Sequence, residues 1–310
     1  MASGAFYLTV VGTILLALAF AAHVAHAVLL ASGRRLAVLA PAPAPAFAGI
    51  VTGSFAEREA AAADTATERD RTAIAPIAWG LAVAAAGSLG LALVLRGLVV
   101  GRGPWGNLYE FTVAFSFGIT LGYVVLAARY PVRSLGAIPL GIALALALYA
   151  FSLPSQVDQL VPALQNPPLL TIHVGFAMIS YGIFAMSFAA GVGYLVQGRD
   201  DRFAWLPSHR TLDEVAYRSV IVGFPIFATM IVLGSWWASI AWSSWWGWDP
   251  KETAALVTWL VYAVYLHARN QRGWSGRPAA LILVIGFAMV LVTYSGNLWF
   301  SGLHAYSGLS

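Results

Sequence analysis

Eight stretches of the chain are apolar almost without interruption: 5–31, 74–95, 110–128, 135–152, 169–196, 219–240, 253–268 and 279–300. Most reach or approach the roughly 20 residues a helix needs to cross the hydrocarbon of a bilayer, and 253–268 is the shortest. Breakers separate them: Gly101 to Pro104, Pro131, Pro154, Pro167-Pro168, Pro207, Gly247 and Gly273 to Pro278. None of the runs alternates apolar and polar residues with a period of two, so they are helices rather than barrel strands. The pattern predicts an all-α fold, a polytopic membrane helical bundle of about eight transmembrane helices. The first run has no basic residue ahead of it and exceeds the length of a signal-peptide core, so it is expected to be a retained span.

Charge then orients the bundle. Fourteen of the seventeen Arg and Lys residues fall in alternate connections, around Arg34 and Arg35, Arg129, Arg199 and Arg269; only Arg96, Arg102 and Lys251 fall on the other side. Basic residues are retained on the cytoplasmic side, which places both termini outside and requires an even number of spans. The expected organisation is a first transmembrane span at 1–31, a cytoplasmic linker at 32–72 opened by the tract Pro41-Ala42-Pro43-Ala44-Pro45, and a membrane domain at 73–310. No internal repeat is evident.

Composition excludes several classes of function. With 60% hydrophobic and 10% charged residues, the chain lacks the polar surface of a soluble domain. Its net charge of +4 comes from short clusters between spans, a topology signal rather than a stripe for nucleic acid. The absence of cysteine removes disulfides, thiolate metal sites and thiol catalysis from this chain. No Ser-His-Asp arrangement, Walker loop, HExxH motif or paired catalytic carboxylates occur, so nucleotide hydrolysis and proteolysis are not expected.

Six of the twelve tryptophans fall in the thirteen residues from Trp236 to Trp248: Trp236, Trp237, Trp242, Trp245, Trp246 and Trp248, followed by Asp249-Pro250-Lys251-Glu252. One or two would read as an interfacial aromatic belt. Six beside an acidic-basic string suit a platform on the membrane surface for a flat conjugated ligand, with indole N–H groups for its polar edge. His173, near the start of the fifth span, and His304, just past the eighth, share that level. Two imidazoles at one depth fit an axial bis-histidine site for haem iron, although each alone reads as an ordinary polar residue. His267 lies fifteen residues beyond Glu252, roughly 22 Å along a helix, so it cannot share that iron. A buried site and a snorkelling interfacial role are equally open to it. His23 and His26 share one helix face and fit lining a cavity, ligating metal or, preferentially, bonding to neighbouring helices. His209 falls in a cytoplasmic loop and is expected to be solvated.

The string Trp242-Ser243-Ser244-Trp245-Trp246-Gly247-Trp248-Asp249 resembles the WWD signature of haem-handling proteins in cytochrome c maturation. Together with Gly103-Pro104-Trp105-Gly106-Asn107-Leu108-Tyr109-Glu110, Ile172-His173-Val174, Leu266-His267-Ala268-Arg269 and Gly302-Leu303-His304-Ala305-Tyr306, it is similar to the CcsA/ResC-type membrane subunit of the system II cytochrome c synthase. The resemblance covers residues 74 to the C-terminus, with the WWD segment at 234–252. It implies a subunit of a haem lyase complex in a bacterial plasma membrane or a thylakoid-type membrane. His173 and His304 would ligate the iron of haem b, the substrate, at the outer face, with the six tryptophans and Asp249 around it. His267 would serve a second, transmembrane haem site shared with a CcsB/ResB-type partner, and apocytochrome c would supply the CxxCH thiols. The shorter CcmC type and the larger CcmF type fit the chain length less well. A haem transporter without a role in ligation, and a b-type haem electron-transfer protein, are the alternatives.

A reporter fused after Ser310 that is active only outside the cytoplasm is expected to be active. Activity of a cytoplasm-only reporter at that position would overturn the topology.

Overall fold

The computed structural model describes residues 2–39, 74–157, 164–165, 167–203 and 205–304. Those residues form eight α-helices and no strand: α1 (Ala2–Leu39), α2 (Ile74–Val100), α3 (Leu108–Arg129), α4 (Ala137–Ala150), α5 (Pro167–Gln197), α6 (His209–Ala241), α7 (Pro250–Arg272) and α8 (Arg277–Trp299), with a 3-10 turn at Arg133–Leu135. Six of them, α1, α2, α3, α5, α6 and α8, are long and apolar enough to cross a membrane. The chain is a multi-pass membrane protein. The two exceptions differ in kind. Helix α4 has 14 residues, about 21 Å, short of the roughly 30 Å hydrocarbon core. Helix α7 is long enough at 23 residues but carries polar side chains at both ends.

Several boundaries depart from the hydropathy reading for identifiable reasons. Pro167 opens α5 and Pro250 opens α7 instead of breaking them, because proline at the first helical turn loses no hydrogen bond. Helix α6 starts ten residues before the expected span, where the Ser208 hydroxyl accepts the Thr211 N–H, and continues through Pro225 to Ala241. Trp236 and Trp237 are thus helical, and only Trp242 onward forms a connecting segment. Helix α1 runs past residue 31 to Leu39, while the remainder of the expected linker, 40–72, lies outside the described residues.

Helices α3, α5 and α8 are the most buried of the spanning set, and α1 and α6 the least. Helix α5 packs against α3, α6 and α8, α2 bridges α1 and α3, and α7 lies on α8. Hydrocarbon offers no hydrophobic drive between helices, so close packing through small residues must hold them together. A Cβ on Gly122 would lie 2.9 Å from the Gly182 carbonyl oxygen, which shows how closely α3 and α5 cross. Helix α2 turns Ala75, Ala78, Ala82 and Ala85 inward, and α1 buries Ala5, Thr9, Leu16, Ala19, His23 and His26 along one face.

At one end of the bundle, before α3, an ionic cluster fixes the 101–107 connection. Glu110 is buried and accepts from Arg96 Nε at 2.8 Å, Arg102 Nη1 at 2.9 Å and the Gly106 N–H at 2.8 Å. Arg96 also donates to the Ser155 and Gln156 carbonyls. Removing one member of such a set leaves buried charge uncompensated, which costs about 3–5 kcal/mol. Glu110→Ala is expected to lower the thermal unfolding midpoint of the detergent-solubilised protein markedly, and Glu110→Gln, which still accepts hydrogen bonds, by less.

Candidate functional site

Helix α7 begins at the last residue of the Trp-rich segment. Asp249 is its N-cap: the carboxylate accepts the Lys251 N–H at 3.0 Å, and Glu252 reaches back to the N–H groups of Gly247 and Asp249 at 2.9 and 3.2 Å. The same carboxylate meets the residues that follow α8. Its Oδ1 accepts His304 Nδ1–H at 2.7 Å, and Gly302 lies where any Cβ would collide with Asp249. Burial alone would raise the Asp249 carboxyl, but the His304 ring and the N–H groups of Lys251 and Leu303 hold it down at about 2. Burial also pushes the His304 imidazole below its ordinary value, against the opposing pull of Asp249. The stable pairing is therefore a carboxylate with a neutral imidazole protonated on Nδ1, which leaves Nε2 with a lone pair.

His173 stands in the second turn of α5. Its Nδ1 is 2.9 Å from the Met230 carbonyl oxygen on α6; a carbonyl can only accept, so this nitrogen carries the proton. Room for the ring comes from Gly234, one helical turn on from Met230, where a Cβ would sit 2.7 Å from His173 Cε1. In each histidine Nδ1 is thus committed to a protein acceptor.

Both rings line one cavity, together with Trp105, Trp237, Trp246 and Lys251. The six expected tryptophans divide. Trp237 is buried and packs edge-on against Trp242 at 4.6 Å between centroids, and Trp242 meets the His304 ring edge-on at 4.8 Å. Trp246 reaches the cavity wall, and Trp248 abuts it from outside. Trp236, Trp245 and Trp248 are exposed. Trp248 has a φ of +57°, a strained left-handed turn that sets up the Asp249 cap.

The other histidines are elsewhere. His267 is exposed on α7, well along the helix from Asp249. His23 and His26 are buried in α1; His23 bonds to the Ala19 carbonyl at 2.7 Å and to the Tyr123 hydroxyl at 2.5 Å, so both of its ring nitrogens are occupied. That arrangement is the expected bonding between helices, and it deprives a b-type haem site of one of its few deep histidines. His209 is not simply solvated: it opens α6 and contacts Asp201 through both its backbone N–H and its ring. Three participants were not singled out from the sequence. Met230 offers only a backbone carbonyl, Gly234 is marked solely by its place at the head of the WWD segment, and Glu110 looks like any helix-start acid.

A family model described as cytochrome C assembly protein matches residues 105–304, so its ends, Trp105 and His304, both stand in the cavity wall. The chain belongs to that family and is of CcsA type. The cytochrome c biogenesis protein CcsA of Synechococcus sp. (strain CC9605) is 36% identical over 248 residues, covering 69% of this chain and 81% of the relative. CcsA of Prochlorococcus marinus subsp. pastoris is 36% identical over 251 residues, covering 70% of this chain and 79% of that one. Among solved structures, the cytochrome c haem lyase CcmF superposes with a TM-score of 0.54 at 20% identity, over 93% of this chain and 46% of CcmF, a likeness of fold. As a CcsA-type protein the chain acts in cytochrome c maturation.

Asp249 joins two elements of this CcsA-type protein, and its depressed pKa makes the link pH-dependent. Its contribution to stability is complete above pH 3.8 and is lost as pH falls through about 2. Asp249→Asn, which keeps a capping side chain but no carboxylate, is expected to flatten that part of the acid-unfolding curve, and Asp249→Ala also to lower stability at neutral pH by about 1 kcal/mol through the lost helix cap. Circular dichroism against pH reads both effects.

Proposed function

We propose that the protein holds haem b, its substrate, between His173 and His304 at the outer membrane face and, with a CcsB/ResB-type partner, presents it to the CxxCH segment of apocytochrome c. The observation that carries this reading is that two imidazoles line one cavity, each oriented by an Nδ1 contact to a protein acceptor. Imidazole is a preferred iron ligand, and a bonded Nδ1–H both orients the ring and raises its basicity. Trp237 and Trp242 set aromatic surface against the His304 ring, and Trp246 lines the same cavity.

The chemistry asked of this chain is positional. Each cysteine thiol of the apocytochrome adds its sulfur and its hydrogen across one vinyl C=C, so attachment itself requires no external oxidant. A fixed macrocycle with its vinyl edge toward the aqueous side turns that addition into an oriented encounter. The substrate's own histidine then takes one axial position as the product leaves. His267, exposed on α7, faces the surroundings of the bundle, where the partner subunit would supply the second ligand of a transmembrane haem site. The membrane in this reading is a bacterial plasma membrane, with a thylakoid-type membrane as the alternative.

Three variants test the pair of ligands. Wild type purified with its partner is expected to show the Soret band of six-coordinate, bis-imidazole haem and to form thioethers on an apocytochrome. His173→Ala and His304→Ala are expected to lose both, with partial return when free imidazole fills the vacated position, while His209→Ala leaves both intact. Normal spectra and normal assembly in both ligand variants would refute the reading.

A further inference from the structure

Lys251 is the only lysine among the 310 residues; every other fixed cation is an arginine. It stands in the first turn of α7, half-buried, and is the single lysine or arginine lining the cavity with His173 and His304. Its neighbours leave it chemically uncommitted. The Asp249 carboxylate is engaged by His304 and by the Lys251 backbone N–H, and Glu252 by two backbone N–H groups. No carboxylate of the described residues lies within 4 Å of Lys251 Nζ. The ammonium sits instead 4.9 Å from the centre of the Phe111 ring on α3, an electrostatic contact that uses none of its three N–H donors.

The only acid lining the cavity among the described residues, Glu252, is engaged by the Gly247 and Asp249 N–H groups. An ammonium left without a carboxylate partner in that wall is complementary to an anion that the protein does not supply. The rest of the lining is largely aromatic and aliphatic, which restricts that anion to one borne on an apolar body.

We propose that Lys251 is the carboxylate anchor of the cavity, its ammonium taking a propionate group of haem. The inference rests on haem being the occupant and adds what the two histidines cannot. Axial ligands fix the iron but leave the macrocycle free to rotate about the axis they define. A third attachment at one edge stops that rotation and determines which edge, carboxylate or vinyl, is presented to an incoming thiol.

The test compares two probes on the intact chain in nanodiscs: haem with free propionates, and haem dimethyl ester, which has the same iron and macrocycle but no carboxylate. A charge-assisted hydrogen bond in such a site is worth about a tenfold difference in affinity or more. Wild type is expected to bind the free acid at least about tenfold more tightly than the ester, with a bis-imidazole Soret band for both. Lys251→Gln is expected to lose that preference, with affinity for the acid falling and affinity for the ester unchanged, which also shows that the variant is folded. Lys251→Arg is expected to retain it. Equal affinity of wild type for acid and ester, or equal weakening of both by Lys251→Gln, overturns the anchor and leaves the bis-histidine reading standing. Absence of a bis-imidazole band with either probe in wild type overturns the haem reading and the anchor with it. Because the ratio of acid to ester in wild type needs no variant, a misfolded Lys251→Gln protein would not prevent a decision.

Discussion

The contact between the Asp249 carboxylate and His304 Nδ1 joins parts of the chain that are 55 residues apart, and the site is organised around it. One oxygen-bearing group caps helix α7, closes the Trp-rich segment and aims an imidazole into the cavity. These roles reinforce one another. The cap requires the carboxylate at the helix start, the left-handed Trp248 delivers it there, and Gly302 lets the strand of chain after α8 come close enough for His304 to reach it. The aspartate of the WWD string therefore acts less as part of a flat surface than as the joint between α7 and the chain leaving α8.

A different physical device holds the opposing histidine. His173 relies on a helical carbonyl that already accepts within α6 and uses its second lone pair for the ring. Such a carbonyl is accessible only where the helix surface is bare, and the glycine one turn along provides that clearance. In an apolar medium a ring N–H without an acceptor would be costly, so the glycine and the histidine belong to one unit even though they lie 61 positions apart in the chain.

Hydropathy located all eight helices because each consists of a run of apolar residues, a one-dimensional property. It erred where local chemistry overrides composition: prolines that start helices, a serine cap that lengthens α6, and the short α4. Density alone marked the tryptophan cluster, but which indoles face inward depends on helical phase through Ala241 and on the strained turns at Ser243 and Trp248. Those features arise from tertiary contacts, so the sequence treats six tryptophans alike where the structure separates a buried Trp237 from an exposed Trp245. Glu110 illustrates the same limit, since its pairing with Arg96 and Arg102 is a matter of three-dimensional closure rather than of spacing.

The supports of the two histidines also differ in what it takes to undo them. His173 is embedded in α5, and its acceptor is the backbone of α6, so moving its ring away means separating one of the most extensively packed helix pairs in the bundle. His304 follows α8 on irregular chain, where it meets the Asp249 carboxylate and packs against the rings of Trp237 and Trp242. Side-chain contacts of this kind rearrange orders of magnitude faster than packed helices separate. In the proposed haem site, one histidine is thus tied to the scaffold and the other to faster-moving contacts, an asymmetry that suits an occupant gripped and later surrendered.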